Sequence, residues 1–335
     1  MQHIAIRGGA GPADALYIET TPLPEPGPGE VRIRVAAAGV NRPDLVQREG
    51  RYPPPPGASP ILGLEVAGHI DAIGLGVSRW VMGQPVCALL SGGGYAEAVV
   101  VPEGQVLPIP DGLSLVEAAA LPETVFTVYA NVFADAELKA GETFMVHGAN
   151  SGIGVTALQM ARAVRARTIA TVRGADKAEA LKGLGADLVI DTTETDFVAA
   201  ARDFGGVDVI LDMLGGEVTS KNLETLKSGG RLVQIAFLTG ARATVDLSRI
   251  MLKRLRLSGS TLRSRPIEEK AALARAIEST VWSWVSAGWV RPVIDRTYPL
   301  SAAAEAHKHL EQGGHLGKIV LTTEGSGSQP EESGV

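Results

Sequence analysis

The sequence predicts an α/β fold: a parallel sheet covered by helices on both faces, preceded by a β-rich region. Three observations carry this. Up to about residue 110, short strand-like runs are broken by Gly and Pro. From residue 143, apolar runs alternate with helical periodicity, and a Gly-rich turn joins the first of these strands to its helix. Such alternation implies parallel strands, because each helical crossover runs back over a face of the sheet.

In the first region, Val31 to Val35 (VRIRV) alternates apolar and charged residues, as a half-buried strand does. Val66 to Ile73 and Ala96 to Val101 are similar, and PLPEPGPGE, RYPPPPGASP (51–60) and SGGGY (91–95) punctuate them. Strands interrupted in this way suggest an antiparallel barrel or sandwich. Ser114 and Glu117 have the spacing of a capping box for a helix through Ala120, and a second helix follows Pro122.

In the second region, strands are expected at Phe144 to His147, Thr168 to Val172, Leu188 to Asp191, Val207 to Leu211 and Leu232 to Ile235. Helices are expected at Gly154 to Val164, Lys177 to Gly183, Asp196 to Arg202 and 268–288, the last carrying Trp282 and Trp284 as packing residues. A strand-like VIDRTYPL, a helix over 301–312 and a strand from Lys318 to Leu321 follow. Residues 324–335 are polar and Gly/Ser-rich, which predicts a disordered tail.

A length of 335 residues suits two compact domains, and 45% hydrophobic with 20% charged residues is a globular composition. The net charge of −6 and the lack of a basic stripe argue against nucleic acid as a partner. The short basic segment Lys253 to Arg256 reads as a solvated helix end. Cys87 is the sole cysteine, so neither an intrachain disulfide nor a cysteine-rich zinc site is expected, and a reducing, cytoplasmic location is. No apolar run reaches about 18 residues, and the opening MQHIAIRGG does not read as a signal peptide; no membrane span is expected.

The strongest local chemistry lies in FMVHGANSGIGVT, residues 144–156. An apolar strand enters a Gly-rich turn and then a helix. Glycines let backbone amides approach a pyrophosphate, and the helix adds free N–H groups and the positive end of its dipole. The motif Ala149-x-x-Gly152-x-Gly154 is shorter than the full dinucleotide fingerprint, so a tight turn that binds nothing stays open on pattern alone. The flanking strands favour a dinucleotide. The next strand ends without a carboxylate and places Arg173 and Lys177 to meet a 2′-phosphate, which selects NADPH over NADH. Asp176 opposes this if it points inward, and Lys177 alternatively reads as a solvated first-turn lysine. His147 reads as structural.

On these residues the chain resembles the zinc-independent, zeta-crystallin-like quinone oxidoreductases of the medium-chain dehydrogenase/reductase superfamily. Within them it resembles the tumour-suppressor-inducible subgroup. The resemblance runs from Met1 to about Thr322. It is carried by GVNRPDLVQREGRYPPPPGAS (39–59), ILGLEVAGHI (61–70), GGGYAEAVVVPEG (92–104), AAALPETVFTVY (118–129), LDMLGG (211–216), STLRSR (260–265) and GKIVL (317–321). It implies a GroES-like (chaperonin-10-like) β-barrel catalytic domain over 1–120, completed by 290–323. A Rossmann NADPH-binding domain over 121–289 is inserted, and nicotinamide and substrate lie in the cleft between the domains. Zinc dehydrogenases resemble the chain in outline, but their catalytic ligand positions hold Asn41 and Leu64 here, and the four-cysteine loop is absent.

The resemblance implies catalytic roles for Asn41, Asp44, Tyr52 and Thr127. Asn41 and Tyr52 would orient a carbonyl oxygen as charge develops on it. Asp44 alternatively partners Arg42 or the backbone, Tyr52 alternatively packs in its loop, and Thr127 alternatively is a helix-interior residue. For the cofactor it implies Asn41, Thr127, Asn150, Ser151, Gly152, Ile153, Gly154, Arg173, Lys177, Thr192, Leu214, Phe237, Leu238, Leu262 and Arg263. Thr192 stands where the family often has Tyr. Lys318 is expected to reach the pyrophosphate. The implied reaction is hydride transfer from NADPH to a quinone, with the final proton from solvent or Tyr52. An NADPH-dependent reductase of α,β-unsaturated carbonyls is the alternative. A non-catalytic, crystallin-like NADPH- or RNA-binding protein is the alternative of another class. A homodimer through the edge of the Rossmann sheet is implied, with the strand around 232–237 permitting it.

Overall fold

The computed structural model describes residues 1–323; the expectation for the tail at 324–335 lies outside them. Two compact units form. One comprises Met1–Glu123, Arg263–Glu278 and the segment from Pro292; the other comprises Thr124–Leu262 and Ser279–Arg291.

The first unit is built on a seven-stranded sheet in the order Ile294–Pro299, Lys318–Thr322, Glu30–Val40, Glu65–Ile73, Pro85–Leu89, Val106–Pro108, with Ala98–Pro102 paired to Glu30–Val40. Glu30–Val40 is the hub. It runs antiparallel to Lys318–Thr322, to Glu65–Ile73 and to Ala98–Pro102, and register shifts along it let it serve all three. The alternation read in VRIRV buries Val31, Ile33 and Val35 against Val66, Val86 and Ile319. Each such side chain contributes about 1.5–3 kcal/mol when fully buried. A hairpin of Gln2–Ile6 and Leu16–Thr20, which the sequence reading missed, adds a small separate sheet. The helix Arg42–Arg48, hidden by its flanking Gly and Pro, was missed as well.

The second unit holds six parallel strands in the order Leu188–Asp191, Arg167–Val172, Thr143–His147, Val207–Asp212, Leu226–Gln234, Arg256–Gly259. Counted along this unit the order is 3-2-1-4-5-6, the Rossmann arrangement, in which ligands bind beyond the carboxyl ends where the order reverses. Met145, Ile169, Ile190, Ile210 and Leu232 fill the core against Phe197. One expectation is corrected here. The strand containing residue 232 is internal, paired on both sides; the far edge of the sheet is Leu188–Asp191, and the edge next to the internal strand is the short, exposed Arg256–Gly259. Its sequence, RLSG, carries no alternation to reveal it.

Candidate active site

In the second unit, strand Thr143–His147 leads through Gly148 into helix Gly152–Ala163. The helix begins two residues earlier than the sequence suggested, so Gly152 and Ile153 lie in its first turn. Ser151 is the N-cap, its Oγ accepting from the Gly154 amide at 3.1 Å. Gly154 has a steric reason: a Cβ there would stand 2.5 Å from the Ala149 Cα and carbonyl oxygen. Only glycine lets the helix seat so tightly on the turn. The cradle therefore fits a pyrophosphate, with Asn150 beside the cap in the same turn.

A buried network holds the neighbouring loop. His147 Nε2 lies 2.7 Å from Asn222 Oδ1, and its Nδ1 lies 2.8 Å from Thr171 Oγ1. Asn222 Nδ2 donates to Asp212 at 3.1 Å, so its oxygen is left to accept from His147 Nε2–H. Asp212 in turn accepts from the Leu214 and Gly215 amides. Burial lowers the His147 pKa and keeps the ring neutral. His147 thus orders the Leu214 loop, which agrees with a structural role. Phe237 and Leu238 are 58% and 50% exposed, an apolar pair open to a ligand.

At the end of strand Arg167–Val172, Arg173 is exposed and makes no ion pair among the described residues. Lys177 Nζ lies 3.1 Å from Asp176 Oδ2, so its charge is shared with the acid that the sequence flagged. Thr192 Oγ1 donates to the Val172 carbonyl at 3.0 Å. Sequence reading missed Asp191. Its carboxylate accepts from the Gly174 amide at 3.0 Å and from Thr193, which holds its pKa low and fixes the turn that carries Arg173. Thr127 lies half-buried within helix Pro122–Val128, and Leu262 is buried.

The first unit contains a second constellation. Asn41 caps helix Arg42–Arg48, and its side chain donates to Glu65 Oε1 at 2.8 Å. Lys318 Nζ donates to Asn41 Oδ1 at 2.6 Å, to the Val40 carbonyl at 3.0 Å and to Glu65 at 2.6 Å. Glu65 Oε2 accepts the Glu123 amide at 2.9 Å. Lys318 is thus engaged within this cluster. The ammonium is 4% exposed and its three protons are engaged by three acceptors, compelled by the fully buried Glu65 charge.

Asp44 is fully buried and accepts from the Asn41 amide (2.8 Å), the Gly63 amide (3.2 Å) and the Tyr95 hydroxyl (3.1 Å). Its partners are thus backbone and Tyr95 rather than Arg42. Burial pushes its pKa up to about 6, against the pull of these donors and of Lys318. Tyr95 Oη is also 3.1 Å from His307 Nε2, whose Nδ1 faces Arg48 Nη1 at 3.3 Å. Tyr52 is half-buried, which raises its pKa, and the Arg263 guanidinium carbon lies 5.2 Å from its ring centre. Arg263 itself donates to the Ser91 carbonyl (2.8 Å) and to Gln47 Oε1 (2.7 Å), so its charge is committed to holding these loops. Glu123 is half-buried and its pKa is pushed up to about 8, by desolvation first and the Glu65 anion second. Glu65, Glu123, Tyr95 and His307 were not legible as site residues, because each gains meaning only from partners far away in the chain.

The positions that ligate zinc in the resembling dehydrogenases hold Asn41 and the buried Leu64, and the cation beside Glu65 is the Lys318 ammonium. Among the described residues no group of three or more His, Cys, Asp or Glu side chains is placed to hold a metal ion. This donor set does not fit zinc.

Residues 27–111 match the alcohol dehydrogenase GroES-like domain, and residues 184–321 match the zinc-binding dehydrogenase family model. The rat quinone oxidoreductase is 32% identical over 89% of this chain and 91% of its own length. Among solved structures, the Escherichia coli quinone oxidoreductase complexed with NADPH superimposes with a TM-score of 0.85 at 27% identity, covering 96% of this chain and 100% of that one. The JamJ enoyl reductase gives a TM-score of 0.86 at 25% identity over 96% of this chain and 99% of that one. Fold and relatives together define an oxidoreductase of the medium-chain dehydrogenase/reductase superfamily. Within it, the chain belongs to the zeta-crystallin-like quinone oxidoreductase family.

Proposed function

We propose that the protein is an NADPH-dependent, zinc-independent quinone oxidoreductase. The observation that carries this reading is the Glu65–Lys318–Asn41 cluster, where a saturated ammonium stands in place of a Lewis acid. An ammonium whose protons are all engaged cannot stabilise an alkoxide as a metal does. The site therefore suits an acceptor that is already electron-poor. When bound, NADPH supplies a hydride from C4 of its nicotinamide. The Gly152 and Ile153 amides and the helix dipole hold the pyrophosphate, Ser151 and Gly154 shape the turn that presents them, and Arg173, with Lys177, meets the 2′-phosphate. Asn41 and Tyr52 orient the acceptor, Asp44 fixes Asn41 through its amide, and Thr127, Leu214, Phe237, Leu238 and Leu262 border the nicotinamide. The likeness to an enoyl reductase supports a second reading, reduction of an α,β-unsaturated carbonyl.

NADPH and NADH oxidation with an ortho-quinone, a para-quinone and an enone, each with and without a chelator, tests this. Quinone-dependent, chelator-insensitive NADPH oxidation is the expected result. Turnover of the enone alone would install the second reading.

We also propose a homodimer across the edge strand Arg256–Gly259. Leu257 there is 42% exposed, and the helix Leu247–Lys253 exposes Leu247, Met251 and Leu252 by 69–71%. Apolar side chains gathered at a sheet edge mark an interface. Sedimentation as a dimer, lost in Met251→Asp, is the expected outcome. Among the described residues no helix is long and apolar enough to cross a membrane.

A further inference from the structure

The first unit gathers three carboxyls about Asn41, and they differ in what they are free to do. Glu65 is fully buried, with both oxygens taken by Lys318, Asn41 and the Glu123 amide. Asp44 is fully buried and accepts three hydrogen bonds. Glu123 alone is part-exposed, and no hydrogen bond or ion pair to its carboxyl is formed among the described residues. Its amide is pinned to Glu65, which fixes the start of the helix and so where the side chain leaves it.

From this geometry we infer that Glu123 is the general acid that protonates the reduced acceptor. The inference rests on the reductase reading above. In the step, the O–H bond of the Glu123 carboxylic acid breaks as an O–H bond forms on the acceptor oxygen made anionic by hydride arrival. The acceptor gains its two electrons from the hydride, Glu123 changes no oxidation state, and its carboxylate regains a proton from water.

The groups facing Glu123 keep it in the acid form at neutral pH. Glu65 from its strand and Asp44 from helix Arg42–Arg48 oppose a further negative charge, and desolvation acts with them. Lys318, from the closing strand, and Arg263 pull the other way without prevailing, so that the pKa rises to about 8. Burial lowers the Lys270 pKa and raises that of Tyr52; Glu123 opposes the first and adds to the second, which places both within its field. An acid matched to neutral pH is the effective donor, whereas a phenol raised above 10 is poorly matched.

The test compares wild type, Glu123→Gln, Glu123→Asp and Tyr52→Phe. For wild type, kcat at saturating NADPH should fall as pH rises through about 8, the direction required of a group active when protonated. Glu123→Gln should lose about 100-fold in kcat at neutral pH, and with it that basic limb. Glu123→Asp should recover part of the rate, and Tyr52→Phe should turn over more slowly but keep the limb. Independent of turnover, pH-difference infrared spectroscopy of wild type should show a carboxylic-acid band titrating in the same range, and Glu123→Gln should lack it while binding NADPH normally. Wild-type kcat and basic limb persisting in Glu123→Gln, or a wild type without the band, overturns the inference. A wild type inactive with every quinone overturns the quinone reading alone, and the band and the enone profile then decide Glu123.

Discussion

The two units solve the same problem, holding charge, by opposite means. The nucleotide cradle works with backbone: amides, a helix dipole, and a glycine whose missing Cβ lets chain touch chain. The cluster around Asn41 works with side chains, an acid and an ammonium shut away from water and satisfied by one another. Backbone devices are local and cost little to assemble. The buried pair is brought together from strands far apart in sequence, and losing either partner leaves an uncompensated charge. The cradle should therefore fail in binding and the cluster in stability.

The largest effect is expected at Lys318. Lys318→Met leaves Glu65 buried without a cation and should cost about 3–5 kcal/mol, read as a lower urea midpoint. Adding Glu65→Gln should return part of the loss; equal losses in the single and double variants would break the contrast. Gly154→Ala should cost less, about 1–3 kcal/mol through overpacking against Ala149, yet weaken NADPH tenfold or more in a fluorescence titration. Normal NADPH binding by Gly154→Ala would show that the cradle does not hold the cofactor. Smallest is Arg173→Ser, which should raise the Kd for NADPH about tenfold and leave NADH and the melting temperature unchanged, as suits an exposed charge that meets only ligand.

What was legible in the sequence follows the same division. Strands Thr143–His147, Arg167–Val172 and Leu188–Asp191 were read within a residue at each end, because buried parallel strands are apolar runs bounded by turns. The cradle was read because its parts are consecutive. The Ser114–Glu117 capping box was likewise local, and both its bonds form. Strand Arg256–Gly259 escaped because an exposed edge needs no apolar face, and helix Leu247–Lys253 because its apolar side chains point outward. The Lys318–Glu65 pair was not legible, because sequence adjacency cannot show that the two lie 2.6 Å apart. Glu123 was not legible as a site residue for the same reason.

The strand Lys318–Thr322 has a consequence for biosynthesis. It pairs with Glu30–Val40, so the first unit is begun early in translation and closed only after the second has been made. Until that strand leaves the ribosome, Glu65 has no ammonium to neutralise it, and the nascent sheet keeps an open edge beside Glu30–Val40. The second unit can fold on the way; the first waits. A ribosome stalled before residue 318 would thus hold a folded nucleotide-binding unit tethered to an unfinished one, the species on which chaperones act.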